Sequence, residues 1–126
     1  MEMLVVIVII GILATLSVVH YGSTREKAYD GEAAANLIML QSAQKIYQKE
    51  RGLPTGTYYP SPTASENNMA TINSELKVLL RQGASAPWNY TVFSSGCVSA
   101  GRVGGTRSWF LTISDADGKP DSGACP

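Results

Sequence analysis

Few side chains in this 126-residue chain are of a kind that does chemistry. There are two cysteines, Cys97 and Cys125, and one histidine, His20. An acidic stretch near the C-terminus runs Asp115-Ala-Asp117-Gly118-Lys119-Pro120-Asp121, and a lone carboxylate, Glu2, stands at the head of an apolar run. No acid–base pair, nucleophile with a base, or phosphate-binding loop is visible, so the residues point away from an enzyme. Asp115, Asp117 and Asp121 have the oxygen spacing of a short calcium loop, with Gly118 permitting the bend. The same pattern is also an ordinary turn in which Asp side chains accept from backbone amides. Both readings stand, and calcium is the one ligand the sequence suggests. The cysteines lack a C-x-x-C arrangement. A disulfide in an exported protein is the economical reading, and two free thiols in a reducing compartment the alternative. A bridge would close a loop of roughly 29 residues, for a chain-entropy gain of about 3.6 kcal/mol.

These residues need elements to hold them, and charge shows how the chain is divided. Ten Lys+Arg balance ten Asp+Glu, which gives no basic excess for nucleic acid. Residues 3–19, MLVVIVIIGILATLSVV, carry no charge, and of the formal charges only Glu2 precedes them. Seventeen residues is near the lower limit for a membrane-crossing helix. A cleavable secretory segment wants a basic start and a small-x-small site. Met1-Glu2 and His20-Tyr21 supply neither. Glu2 favours the helix N-terminus through the dipole, and it is also placed to meet a cation on another subunit. His20 falls at the membrane boundary.

Residues 25–51 have helical periodicity. One face carries Ala28, Ala33, Ala35, Met39, Leu40, Ala43, Ile46 and Tyr47; the other carries Lys27, Asp30, Gln41, Lys45, Gln48 and Lys49. Ile38 and Glu32 do not fit this division, and Gly52 followed by Pro54 stops the helix. Joined end to end, the two stretches predict a helix of about 50 residues, roughly 75 Å long. A compact domain of this chain length has a radius of gyration of about 14 Å. The apolar half is therefore expected to project, and to need lipid or copies of itself. The reading is α+β: residues 1–24 an apolar half-helix, 25–52 an amphipathic half packed on a head, and 53–126 that head. Within it we expect a loop, a short helix around Glu75–Arg81, and antiparallel strands at 88–93, 96–103 and 109–113. Trp88, Tyr90, Phe93, Trp109 and Leu111 are the expected filling.

The run from Glu2 to Ala14, EMLVVIVIIGILA, resembles the N-terminal signature of type IV pilins and pseudopilins, the N-methylated filament subunits with a class III signal. That signature is a Phe-Thr-Leu-(Ile/Val)-Glu opening and an apolar run containing Gly-Ile-Leu-Ala. Glu2 falls on the family's glutamate, Gly11 on its glycine, and Tyr21 on an aromatic at the end of the run. The match covers about the first 21 residues. Helix-then-sheet order and the C-terminal cysteine pair extend it less specifically. Met1 alone precedes Glu2 where the family has four residues, so the chain is expected to lack a few residues there or to have an altered start. Val19 stands where the family often has Pro.

The resemblance implies a subunit held in the bacterial inner membrane, then passed by a pilus assembly machinery into an extracellular helical homopolymer. Assembly would run through Glu2 and Gly11, with Glu2 accepting a neighbour's N-terminal amine. A major pilin for adhesion or motility is the first reading. A type II secretion pseudopilin, whose family carries calcium near the C-terminus, is the alternative.

Overall fold

The structure is a computed structural model and describes residues 2–126. Met1, the first residue of the apolar part as read from sequence, lies outside the described residues. A long α-helix, α1 (Glu2–Arg51), comes first. It is followed by β1 (Ser65–Glu66), α2 (Met69–Leu76), β2 (Trp88–Phe93), β3 (Cys97–Arg102), β4 (Ser108–Thr112) and β5 (Asp121–Ser122). This is an α+β arrangement, with a five-stranded antiparallel sheet packed against α1. By contacts the chain divides into two compact units, one ending at Gly31 and one spanning Glu32–Pro126.

In the second unit the strands lie in the order β1-β2-β3-β4-β5, every neighbour antiparallel. Consecutive strands pair with their sequence neighbours, as short connections favour. Two of the five strands are only two residues long. They sit at the edges, where a short strand offers little unpaired backbone. The three longer strands coincide with the stretches the sequence predicts. β2 alternates strictly: Trp88, Tyr90 and Val92 are buried, while Asn89 is exposed and Thr91 and Phe93 half-buried. Of the expected filling, Trp88, Tyr90 and Leu111 are in the core, but Phe93 is not, because strand parity turns it to the other face. Trp109 is half-buried.

Two expectations are corrected. The short helix is Met69–Leu76, earlier than Glu75–Arg81. Asn68 caps it, its Oδ1 accepting from the amides of Ala70 (3.0 Å) and Thr71 (3.3 Å). Lys77, at φ 53, ends it in the left-handed region. Beyond it Val78 and Leu80 are buried and Leu79 is 92% exposed, the period-two pattern of extended chain.

The second correction concerns the inward face of α1. Ala33, Leu37, Leu40, Gln41, Ala43 and Gln44 are buried, whereas Ala35, Ile38 and Ile46 are exposed. The face is rotated towards the side-chain amides because these reach acceptors in the segments packed against the helix. Asn36 Nδ2 donates to Tyr90 Oη (2.8 Å), and Gln41 Nε2 to the Thr112 carbonyl (2.7 Å). Gln44 Nε2 donates to the carbonyls of Tyr59 (2.8 Å) and Phe93 (3.1 Å). Gln48 Nε2 donates to those of Pro54 (3.0 Å) and Thr57 (3.1 Å). The carbonyls of Phe93, Thr112 and Pro54 also accept backbone amides, so there the glutamines add a second donor, and as directional bonds they fix the helix's rotation about its axis. α1 stops at Arg51, where Gly52 takes φ 61 and the Leu53 amide donates back to the Gln48 carbonyl at 3.1 Å.

Gln44→Leu keeps the volume and removes the donor, so we expect the Glu32–Pro126 unit to lose about 1–3 kcal/mol in urea unfolding. Burial pushes the Tyr90 hydroxyl up to about 12, although its bond from Asn36 pulls the other way. Burial also pushes Tyr59 up to about 12, helped by the nearby carboxylates Glu66 and Glu75. Both phenols hold their protons more tightly folded than unfolded. The stability this contributes is therefore complete below about pH 10 and is lost as pH rises towards about 12. Urea midpoints should be flat from pH 8 to about 9.5 and fall above pH 10, and Tyr90→Phe should make that fall shallower.

Candidate assembly surface

Glu2 is exposed in the first turn of α1, where a carboxylate favours the positive end of the helix dipole. After it, every large apolar side chain from Met3 to Val19 is between 51% and 79% exposed. The segment is long and apolar enough to cross a membrane, and none of its most apolar window is buried within the molecule. Its hydroxyls are satisfied locally: Thr15 Oγ1 donates to the Ile12 carbonyl and Ser17 Oγ to that of Leu13, each at 2.8 Å. His20 Nδ1 lies 3.4 Å from the Leu16 carbonyl. With the backbone bonded in the helix and these groups turned back onto it, the outside of the segment is close to pure hydrocarbon. At Gly11 a Cβ would meet nothing within 4 Å, so its lack of a side chain leaves a notch on the helix surface. The first basic residue, Arg25, donates from Nε to Tyr29 Oη at 2.8 Å, with its guanidinium 5.3 Å from the ring centre.

The remaining candidates lie in the second unit. Cys97 and Cys125 form a disulfide, with Cα atoms 6.0 Å apart and a sequence separation of 28. It anchors the C-terminal tail to the first residue of β3, where Cys97 is 3% exposed. The three aspartates are distributed differently from a coordination set. Asp115 Oδ2 accepts from the Thr112 amide at 2.8 Å, and that bond holds its carboxyl below the ordinary carboxylate value. Asp117 Oδ1 accepts from the Lys119 amide at 3.2 Å, beside Gly118 at φ 63. Asp121 is exposed in β5, opposite Phe110. Among the described residues no group of three or more His, Cys, Asp or Glu side chains is placed to hold a metal ion. Asp115 and Asp117 do the work of turn formers.

Sequence reasoning missed the exposed apolar stripe on the amphipathic part of α1. Ile38 is 45% and Ile46 58% exposed. The signal was available in the spacing of Leu37, Gln41, Gln44 and Gln48, which is 4, 3 and 4 residues, the repeat of one helix face. Glutamine looks like a solvent residue unless its partners are known. No protein-family model, curated protein or solved structure matches this chain.

If the aspartates serve only turns, chelation has nothing to remove. The melting temperature of the Glu32–Pro126 unit, followed in the full chain, should be the same within about 1 °C in millimolar calcium and in excess chelator. A rise of several degrees with calcium would establish a metal site there.

Proposed function

We propose that this chain is the structural subunit of a type IV pilus-like extracellular filament, assembled through its N-terminal apolar helix from a pool held in the inner membrane. The observation that carries the reading is the uncharged run Met3–Val19, helical and more than half exposed at each large side chain. Such a surface is stable in water only when covered, at about 25 cal/mol for each Å² of apolar area removed. Lipid covers it before assembly and sister helices cover it afterwards. The contact is heterologous, one surface of a copy against a different surface of the next, so it propagates into a helical polymer. The role is structural and not enzymatic, and the partners are further copies, the inner membrane and an assembly machinery, with no nucleic acid. The match of Glu2 to Ala14 with the pilin signature supports the same reading, and N-terminal methylation belongs with it.

Between pilus and secretion pseudopilus, the use of Asp115 and Asp117 in backbone turns supports the pilus, since calcium was the feature that favoured the other. The Cys97–Cys125 bridge suits a subunit exposed outside the cell.

Electron microscopy of material sheared from cell surfaces, with mass identification of the fibre protein, tests the proposal directly. Long fibres made of this chain are expected; cells that express it without any fibre would refute it. In the filament Glu2 accepts a neighbour's N-terminal amine, and removing one member of a buried charge pair costs about 3–5 kcal/mol. Glu2→Ala should therefore give folded, membrane-held subunits with fibre yield reduced at least tenfold. Normal fibre yield from that variant would remove the role assigned to Glu2.

A further inference from the structure

Where the uncharged run ends, the surface of the first unit changes from hydrocarbon to an aromatic and cationic stripe. Tyr21, Arg25 and Tyr29 follow one another at four-residue spacing, which places them on one face of α1. Tyr21 is 70% exposed, and Arg25 is exposed beside it. The guanidinium of Arg25 is held in place. Its Nε donates to Tyr29 Oη at 2.8 Å, and its Cζ lies 5.3 Å from the centre of that ring. A guanidinium carries five N–H donors, and this bond uses only the one on Nε. A phenol accepts the bond without neutralising the charge. The carboxylates that follow Arg25 along the helix, Glu26 and Asp30, stand about 100° and 140° round the axis from it.

Depth identifies the ligand. Gly11 is the middle residue of the run Met3–Val19. Measured from it along an upright helix, Tyr21 is 10 residue steps away, about 15 Å, and Arg25 is 14 steps away, about 21 Å. The hydrocarbon of a bilayer ends about 15 Å from the mid-plane, and its headgroups end about 20–22 Å out. With the run centred, Tyr21 lies at the hydrocarbon boundary, where tyrosine rings collect. Helical side chains lean towards the N-terminus, which brings Arg25 back into the headgroup layer.

We infer that Arg25 binds the phosphate of a membrane phospholipid, with Tyr29 holding the guanidinium for that contact. A planar guanidinium offers two parallel N–H donors to two phosphate oxygens, and holding it beforehand reduces the entropy lost on binding. The contact fixes the depth of the helix. Sliding α1 outwards along its axis would part Arg25 from the phosphates and draw apolar side chains into water. The inference rests on the membrane-held pool of the filament reading, and it adds the headgroup chemistry that holds that pool.

The test places the full chain, labelled with carbon-13 at arginine Cζ, in vesicles of phosphatidylcholine and phosphatidylglycerol. Solid-state NMR then reads the dephasing of Cζ by lipid phosphorus. The chain has five arginines, so one-fifth of the Cζ signal should dephase, at a carbon–phosphorus distance below about 5 Å. Arg25→Gln should abolish the dephased fraction, and Tyr29→Phe should cut it at least twofold. Frozen in dodecyl maltoside with millimolar inorganic phosphate and no phospholipid, the same chain should show none. Dephasing in that sample would assign the site to free phosphate and overturn the inference. So would an undephased signal in vesicles, or a dephased fraction unchanged by either substitution. Vesicle flotation separates this inference from the reading beneath it. A chain that floats with the vesicles and shows no phosphorus contact sinks the headgroup site and leaves the membrane pool. A chain that does not float with them sinks the pool itself, and the headgroup site with it.

Discussion

Side-chain amides on α1 set the geometry on which the rest of the second unit depends. Asn36, Gln41, Gln44 and Gln48 reach from one face of the helix to Tyr90 Oη and to carbonyls in the segments packed against it. Gln44 is the extreme case: fully buried, it donates to both Tyr59 and Phe93. A bond from a buried amide is directional, whereas hydrophobic contact is not. The bonds, at 2.7–3.1 Å, add a directional constraint to the close packing of the core. Leu37 and Leu40 are thereby fixed facing the sheet, and Ile38 and Ile46 are fixed facing away. The exposure of Ile38 and Ile46 goes with where the glutamines point.

The first unit presents a different physical problem. It has no core of its own among the described residues, only a helix onto which the Thr15 and Ser17 hydroxyls are bonded back. Helical propensity alone does not favour a run of Val and Ile, because β-branched side chains lose rotamer freedom there. Lipid or sister helices reverse that preference by removing water as a competitor for the backbone. A stretch of this kind is stable only in the company of other hydrocarbon.

The C-terminal part of the chain is held by small local devices. Asn68 starts α2, Lys77 ends it, and the Asp115 carboxylate ties down the turn after β4. The Cys97–Cys125 bridge secures a tail whose last strand is two residues long. Gly96 shows how tightly the turn between β2 and β3 is packed. At φ 86 a Cβ there would stand 2.8 Å from the Tyr58 ring, so both backbone and space require glycine.

Much of this was legible in residue order. The uncharged run Met3–Val19, the helix stop at Gly52 and Pro54, and the three longer strands all follow from patterns within a few residues of one another. Local patterns of that sort are governed by backbone sterics and by the periods of helix and strand. The cysteine pair was legible too, but only as two thiols that could meet. Leu37 and Gln44 were not recognised as core, and Gln41 was assigned to the polar face. α2 was placed too late because its Asn68 cap was overlooked. A glutamine in a sequence looks like a solvent-facing residue; what buries it is a carbonyl 15 or 49 residues away that it can donate to once folded. The aspartates likewise admit either a turn or a cation site until the amides they accept from are seen. By itself the sequence determined the long helix, the three longer strands and the segment that must shun water, because those depend on neighbours along the chain. Tertiary structure decided which face of α1 turns inward and which apolar residues stay exposed, because those depend on hydrogen-bond partners that only folding brings within 3 Å or so.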